Sequence, residues 1–455
     1  MDKFFNPASV VVIGASNSAF NLGYSICNLL IHLKYTGKVY AVNRKGEEVA
    51  GCPGYRTLQE IPGEVELAVL ITSAESSPMF IRECGIKGIK NIIIESSGFT
   101  EEGEAGKKIQ DEVDSIAREF GIRFMGPNCL GVFNSHNNFC CFYGLVPGMY
   151  DKVFEKKGSI SYIIQSGGIG ALIIDSFQTD IVNVNKMISI GNKADIDEAD
   201  LIEYLNKDDT TKVLGMYLEN VKDGRRLMDV ARKFRKPLLV FKVGRTIEGS
   251  RAAMSHTAGM ANNDVIFDSA CRQSGIIRLK SIDELHSLPK IFTSMPVLKG
   301  KRIVIFTNSG AFGGITSDLL VESGFEVVRL SENTQQKIAK TGKIFNTSNP
   351  IDLGPALSPE TFRNIFEILL SSDEVDGILA VPNVWQKVVI DTIIELVGQC
   401  KKFDKPAAIY IPNAIQRILS IRDEYQLPVF ESAEEAVRAL YVSHQQYKFI
   451  QKKEA

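Results

Sequence analysis

Three times along the chain a short apolar run passes into a Gly-rich turn and then into a helix-like stretch. The runs are VVVIGAS at 10–16, SYIIQSGGIG at 161–170 and VIFTNSGAFGG at 304–314. Such runs lack polar–apolar alternation, so both faces of the strand must be covered, as in parallel sheets flanked by helices. A Gly-rich turn lets the following helix pack closely, and lets a ligand approach the amides at the helix start. The spacing is domain-sized, which indicates three sheets rather than a short-period repeat array.

The intervening sequence fits that reading. KVYAV, ELAVLI, NIIIES and IRFMG alternate with amphipathic stretches such as AGKKIQDEVDSIAREF in the first part. KMISI, KVLGMYL and PLLVFK continue the second part; FEVVRL, DGILAVP and AAIYIP continue the third. The predicted class is α/β with mainly parallel sheets. The Pro/Gly-containing stretches at 144–159 and 293–301 are expected joints, giving domains at 1–137, 138–296 and 297–455.

Composition narrows the function classes. A hydrophobic content of 44% supports several cores, and a formal charge of −2 gives no global basic field for nucleic acid. The N-terminus runs directly into a strand, so no signal peptide is expected, and runs such as LAVLI are too short for a bilayer. The eight cysteines form no C-x-x-C pair and no zinc-ligand spacing, so no metal site is expected and reduced thiols in a cytoplasmic protein are.

The first turn, Gly14 to Gly23, resembles a dinucleotide-binding turn only loosely. The second strand is more informative. An NAD site places an acid there for the ribose hydroxyls, whereas this strand ends in Asn43-Arg44-Lys45. Two cations suit a ligand with an extra ribose phosphate, either NADP or coenzyme A; a solvated basic turn is the plainer alternative. The turns Gln165–Gly168 and Ser309–Gly314 each open a helix whose free amides and dipole suit a phosphate, or else simply allow close helix packing. G-x-x-x-x-G-K-[ST] does not occur, nor does a kinase signature set. His256, one of only five histidines, stands in RAAMSHTAGM, expected to be a small-residue loop.

With these motifs in view, the chain resembles the α subunit of NDP-forming acyl-CoA synthetases, the ADP-forming acetate–CoA ligases of the succinyl-CoA synthetase superfamily. The resemblance rests on GAS at 14–16, GPNCLGVFN at 126–134, IIQSGGIGA at 163–171, ISIGNKADIDEADLIEYL at 188–205 and YLENVKDGRR at 217–226. It continues through GRTIEGSRAAMSHTAG at 244–259, FTNSGAFGG at 306–314 and SNPIDLG at 348–354. It implies a Rossmann-like CoA-binding domain followed by two flavodoxin-like ligase domains. It also implies the reaction acyl-CoA + ADP + phosphate = carboxylic acid + CoA + ATP.

The implied residue roles follow the same motifs. His256 is phosphorylated in turnover and Glu219 orients its imidazole, where a surface salt bridge is the plainer reading of Glu219 alone. Coenzyme A is expected on Gly14, Ala15, Ser16, Asn17, Asn43, Arg44, Lys45, Thr72, Ser73, Glu95, Ser96, Ser97, Gly98 and Asn128. Phosphate is expected on Ser166, Gly167, Gly168, Gly313 and Gly314. ADP or ATP with Mg2+ would sit on a separate ATP-grasp β subunit, in an αβ or α2β2 assembly. AVNRK, ITSAE and ESSGF depart from common family versions near the expected CoA site. Rival classes are a non-enzymatic CoA- or nucleotide-sensing protein and an NADP-dependent oxidoreductase.

Overall fold

The computed structural model describes every residue except 19, 146, 178–182, 258–262, 355–357, 384–386, 426 and 455. For 253–257, 387, 388, 423 and 454 it describes the backbone alone. By contacts the chain divides into two compact units, 1–178 with 183–280, and a second that holds 281–455.

The first unit carries two sheets. One is wholly parallel, with β1 (Ser9–Ile13), β2 (Lys38–Val42), β3 (Gly54–Tyr55), β4 (Leu67–Leu70), β5 (Asn91–Ile94) and β6 (Arg123–Met125) in the order β3-β2-β1-β4-β5-β6. That is the Rossmann order, whose strand-end crevice between the two halves is the usual ligand site. The apolar run of β1 is explained by its surroundings. Val10 and Val12 face one buried cluster, while Val11 and Ile13 face another.

The second sheet comprises β7 (Val132–Asn134), β8 (Phe139–Cys140), β9 (Ile160–Ile164), β10 (Val184–Ser189), β11 (Val213–Leu218), β12 (Leu238–Lys242) and β13 (Ile277–Arg278). Its order is β13-β12-β11-β9-β10-β7-β8, parallel except at β10–β7 and β7–β8. The boundary expected after residue 137 therefore falls inside the β7–β8 hairpin, which already belongs to this sheet. One continuous apolar cluster takes in Val10, Ala41 and Val69 from the first sheet and Ile163, Met216 and Val240 from the second. Burial of that shared surface is the physical reason the two sheets form one unit.

The second unit holds a third sheet, built from β14 (Arg302–Thr307), β15 (Glu326–Val327), β16 (Ile351–Asp352), β17 (Gly377–Val381), β18 (Ala407–Tyr410) and β19 (Val429–Phe430). The order is β15-β14-β17-β18-β19, with β16 also beside β14, and every pairing is parallel. Phe306 of β14 packs on Phe362 and Phe366, at ring-centre distances of 5.3 and 4.5 Å. Among the described residues no helix is long and apolar enough to cross a membrane.

Candidate functional site

The carboxyl ends of β1, β2 and β4 open onto a cavity of about 1020 Å³. Gly14, Ala15, Ser16, Asn17, Asn43, Arg44, Lys45, Thr72 and Ser73 all line it. Gly14 adopts φ +96°, and a Cβ there would stand 2.6 Å from the carbonyl oxygen of Ile71, so the turn requires glycine. Asn21 holds the turn in shape. Its Oδ1 accepts the N–H groups of Ser16 and Tyr24, each at 3.0 Å, and its Nδ2 donates to the Gly14 carbonyl at 3.1 Å. Asn43 does similar work one strand over. Its Oδ1 accepts from the N–H groups of Lys45 (3.1 Å) and Glu47 (3.2 Å), and its Nδ2 donates to the Glu47 carbonyl at 2.8 Å. Asn43 thus builds the turn that presents Arg44 and Lys45 to the cavity.

Sequence reasoning missed part of this wall. Arg56 adds a third cation, brought alongside by the short pairing of β3 with β2. Glu47 lines the cavity too, 3.8 Å from Lys45 Nζ, so an acid does stand near the basic strand end. Met79 and Phe80 supply an apolar side from the helix Ser77–Lys87. Glu47 belongs to the same turn as Lys45, whereas strand order and helix packing bring Arg56, Met79 and Phe80 to the cavity.

The remaining residues expected at coenzyme A stand off this lining. Ser96 accepts the Asn128 N–H on its carbonyl at 2.8 Å and donates its hydroxyl to the Leu70 carbonyl at 3.4 Å. The Gly98 N–H donates to Glu101 Oε1 at 2.8 Å, while Ser97 is exposed. Asn128 (φ +58°) donates to Asn192 Oδ1 at 3.4 Å. These contacts dock the GPNCLG loop and the GNKAD loop onto the end of β5. Glu95 turns inward beside Cys129 and Cys141, is 4% exposed, and neither carboxylate oxygen has a hydrogen-bond partner among the described residues. Burial pushes its carboxyl well above the usual carboxylate range.

At the second sheet, β9 runs through Gln165 into the helix Gly167–Ser176, capped by Ser166 without a side-chain hydrogen bond. The two glycines differ in role. A Cβ on Gly167 would collide with the Leu130 side chain, whereas one on Gly168 would meet nothing within 4 Å. Beside this turn Glu219 is the first residue past β11; it is 8% exposed, and its Oε1 lies 3.5 Å from the Tyr217 hydroxyl. Burial, and then the Glu219 charge, raise the Tyr217 phenol, which keeps it a donor to that carboxylate.

The third turn repeats the pattern. The helix Gly310–Glu322 follows β14; a Cβ on Gly313 would press on Pro350 at 3.2 Å, and one on Gly314 would meet nothing within 4 Å. The cis bond Asn349–Pro350 sits under this turn, and the Asp352 carboxylate stands close to Gly310. Asp352 lies within SNPIDLG but is not among the residues expected at the site. Among the described residues no group of three His, Cys, Asp or Glu side chains is arranged to hold a metal ion.

Residues 8–135 match the family model of a CoA binding domain, and 157–292 match that of a succinyl-CoA ligase like flavodoxin domain. The chain is 34% identical to the α subunit of acetate–CoA ligase [ADP-forming] II of Pyrococcus furiosus, over 99% of this chain and 98% of that protein. It belongs to the family of ADP-forming acyl-CoA ligases. Archaeoglobus fulgidus has another relative, acetate–CoA ligase [ADP-forming] II, 34% identical over 96% of this chain and 65% of that protein. Among solved structures, an acetyl-coenzyme A synthetase 1 of Ca. Korarchaeum cryptofilum, in complex with phosphate and ADP, superposes with a TM-score of 0.90. The match covers 100% of this chain and 99% of that one, at 27% identity.

Membership in the ligase family decides between the classes left open by the residues, against the sensing protein and the oxidoreductase. It also directs attention to His256. In this ligase chain the expected loop is in part helical: Ile247–Thr257 is a helix, with His256 in its last turn. Ala252, Ala253 and Met254 are good helix formers, which outweighs the small-residue look of the segment. The His256 side chain and residues 258–262 lie outside the described residues.

Proposed function

We propose that this chain is the α subunit of an acyl-CoA synthetase (ADP-forming) that works in the cytoplasm with an ATP-grasp β subunit. The observation that carries the reading is its end-to-end correspondence, 98% of the relative's length, with a protein named as such an α subunit. The three sheets are read as a CoA-binding part and two ligase parts. Eight free, buried cysteines accord with a reducing compartment.

In this reading the pantetheine chain of acyl-CoA runs from the cavity at Gly14, Arg44 and Thr72, with its ribose phosphate on the basic rim. A phosphate oxygen attacks the thioester carbonyl, the C–S bond breaks and CoA leaves as its thiolate. The helix-start amides at Ser166–Gly168 face the phosphate, and preorganised donors of this kind stabilise charge as it develops. The His256 imidazole then attacks phosphorus, the bond to the acyl oxygen breaks and the carboxylic acid departs. Glu219 holds the imidazole in one tautomer and balances its positive charge. The amides at Gly313–Gly314 are read as a phosphate station of the second unit's own. The phosphoryl group passes to ADP, read as held by the β subunit, where Mg2+ would supply charge neutralisation.

The test is the intact mass of the chain after incubation with acyl-CoA and phosphate, and after incubation with β subunit and ATP. One added phosphoryl group, mapped to His256 and absent in His256→Ala, is the expected result. Bound CoA without phosphorylation would return the chain to the class of sensing proteins.

A further inference from the structure

Gln165 is the first residue past β9, and its side chain is spent entirely on the end of β11. It is 4% exposed. Its backbone N–H donates to the Tyr217 carbonyl at 3.0 Å, one step beyond the last paired residues of the two strands. Its Oε1 accepts from the N–H of Glu219 at 2.9 Å and from the N–H of Asn220 at 3.3 Å, and its Nε2 donates to Asn220 Oδ1 at 3.4 Å. Residues 219 and 220 lie beyond the ladder, so one amide side chain replaces a neighbouring strand for two buried N–H groups. On the far side of Asn220, Lys193 Nζ donates to its carbonyl at 2.8 Å and to Glu198 Oε2 at 3.0 Å.

We infer that Gln165 is a positioning residue for the phosphoryl-transfer site, locking the Glu219 backbone to the Ser166–Gly168 turn so that carboxylate and phosphate station keep one spacing. This rests on the function proposed above. The turn and the carboxylate approach the same phosphoryl group from two strands, and an amide is the side chain that joins those strand ends without adding charge. A carboxylate in its place sets a second negative charge beside Glu219. A thioether of similar length leaves two buried N–H groups unpaired. Nothing in the motif IIQSGG separates this duty from that of an ordinary buried polar residue.

The experiment uses the full chain with its β subunit and follows phosphorylation of His256 from acyl-CoA and phosphate, with Gln165→Met and Gln165→Glu. Gln165→Met is expected to slow phosphorylation on the order of a hundredfold, the scale of a small misplacement, with the KM for acyl-CoA unchanged. Gln165→Glu is the conservative rescue. Its carboxylate still accepts from the N–H groups of Glu219 and Asn220, which favour the ionised form, and loses only the donation to Asn220 Oδ1. Its rate should therefore lie between those of Gln165→Met and the parent. Parent rates for both variants overturn the inference, as does a Gln165→Glu rate as low as that of Gln165→Met. Should Gln165→Met not fold, Gln165→Asn, whose amide is one methylene short of the two N–H groups, takes its place. A parent chain that takes no phosphate removes the proposed function, and the inference falls with it.

Discussion

Lys193 and Glu198 form a salt bridge of 3.0 Å in which neither side chain is more than 4% exposed. The lysine has a left-handed backbone (φ +54°) and also holds the Asn220 carbonyl at 2.8 Å. Removing one member strands a buried charge, at a cost of about 3–5 kcal/mol, whereas replacing both with apolar side chains is often near neutral. Lys193→Met should lower stability by that amount in urea denaturation, and Lys193→Met with Glu198→Met should recover most of it. Equal losses in the single and double variants would show that the Asn220 contact dominates.

Glu95 makes stability depend on pH. Its folded pKa is raised well above 4.5 by burial, while the unfolded chain releases the proton near 4.5. Below that value both states carry the proton and nothing is lost. Above it the unfolded state binds fewer protons than the folded one, so stability falls as pH rises towards the folded pKa. Glu95→Gln removes the titration. Its melting temperature should gain on the parent as pH rises from 4.5 towards the folded pKa, with no gain at pH 4. A difference that stays constant across that range would mean the parent carboxyl does not titrate between the states.

The basic rim should read the ribose phosphate of coenzyme A. A charge-assisted contact of this kind contributes about 1.5–3 kcal/mol, roughly tenfold or more in affinity. Arg44→Ala should weaken CoA by that factor and 3′-dephospho-CoA much less. Lys45→Ala should do so less strongly, because Glu47 already engages that ammonium at 3.8 Å. Calorimetric titration with both ligands checks this; equal losses for the two ligands count against a phosphate contact.

Gly167 and Gly168 separate packing from ligand contact. Gly167→Ala must displace Leu130 and should cost about 1–3 kcal/mol as overpacking. Gly168→Ala meets no protein atom within 4 Å, so its melting temperature should match the parent or exceed it. If phosphate docks on that open side, Gly168→Ala should still raise the KM for phosphate severalfold. An unchanged KM would place the phosphate elsewhere.

Glu219→Gln keeps shape and loses charge. We expect normal CoA affinity and melting temperature, with turnover down on the order of a hundredfold, the scale of acid–base and orienting groups. Phosphoryl occupancy of His256 should fall in parallel. A large drop in melting temperature would assign Glu219 to the fold instead, since it also stands 3.5 Å from the Tyr217 hydroxyl.

Local pattern alone determined much of this protein. Uninterrupted apolar runs at 10–13, 162–164 and 303–306 announce strands covered on both faces, and each lies in an interior strand of its mainly parallel sheet. The Gly-rich turns and the Arg44-Lys45 strand end are local as well, because backbone freedom and charge belong to the residues themselves. Side-chain partnership is another matter. That Arg56 shares a cavity with Arg44, that Glu95 is sealed among cysteines, and that Gln165 ends on Glu219 depend on strand order. Strand order is set by which apolar faces find each other across more than a hundred residues, as Val10 and Met216 do in one cluster. A hydrogen bond between the ends of β9 and β11 exists because those strands are neighbours, and no spacing within a single segment encodes that adjacency.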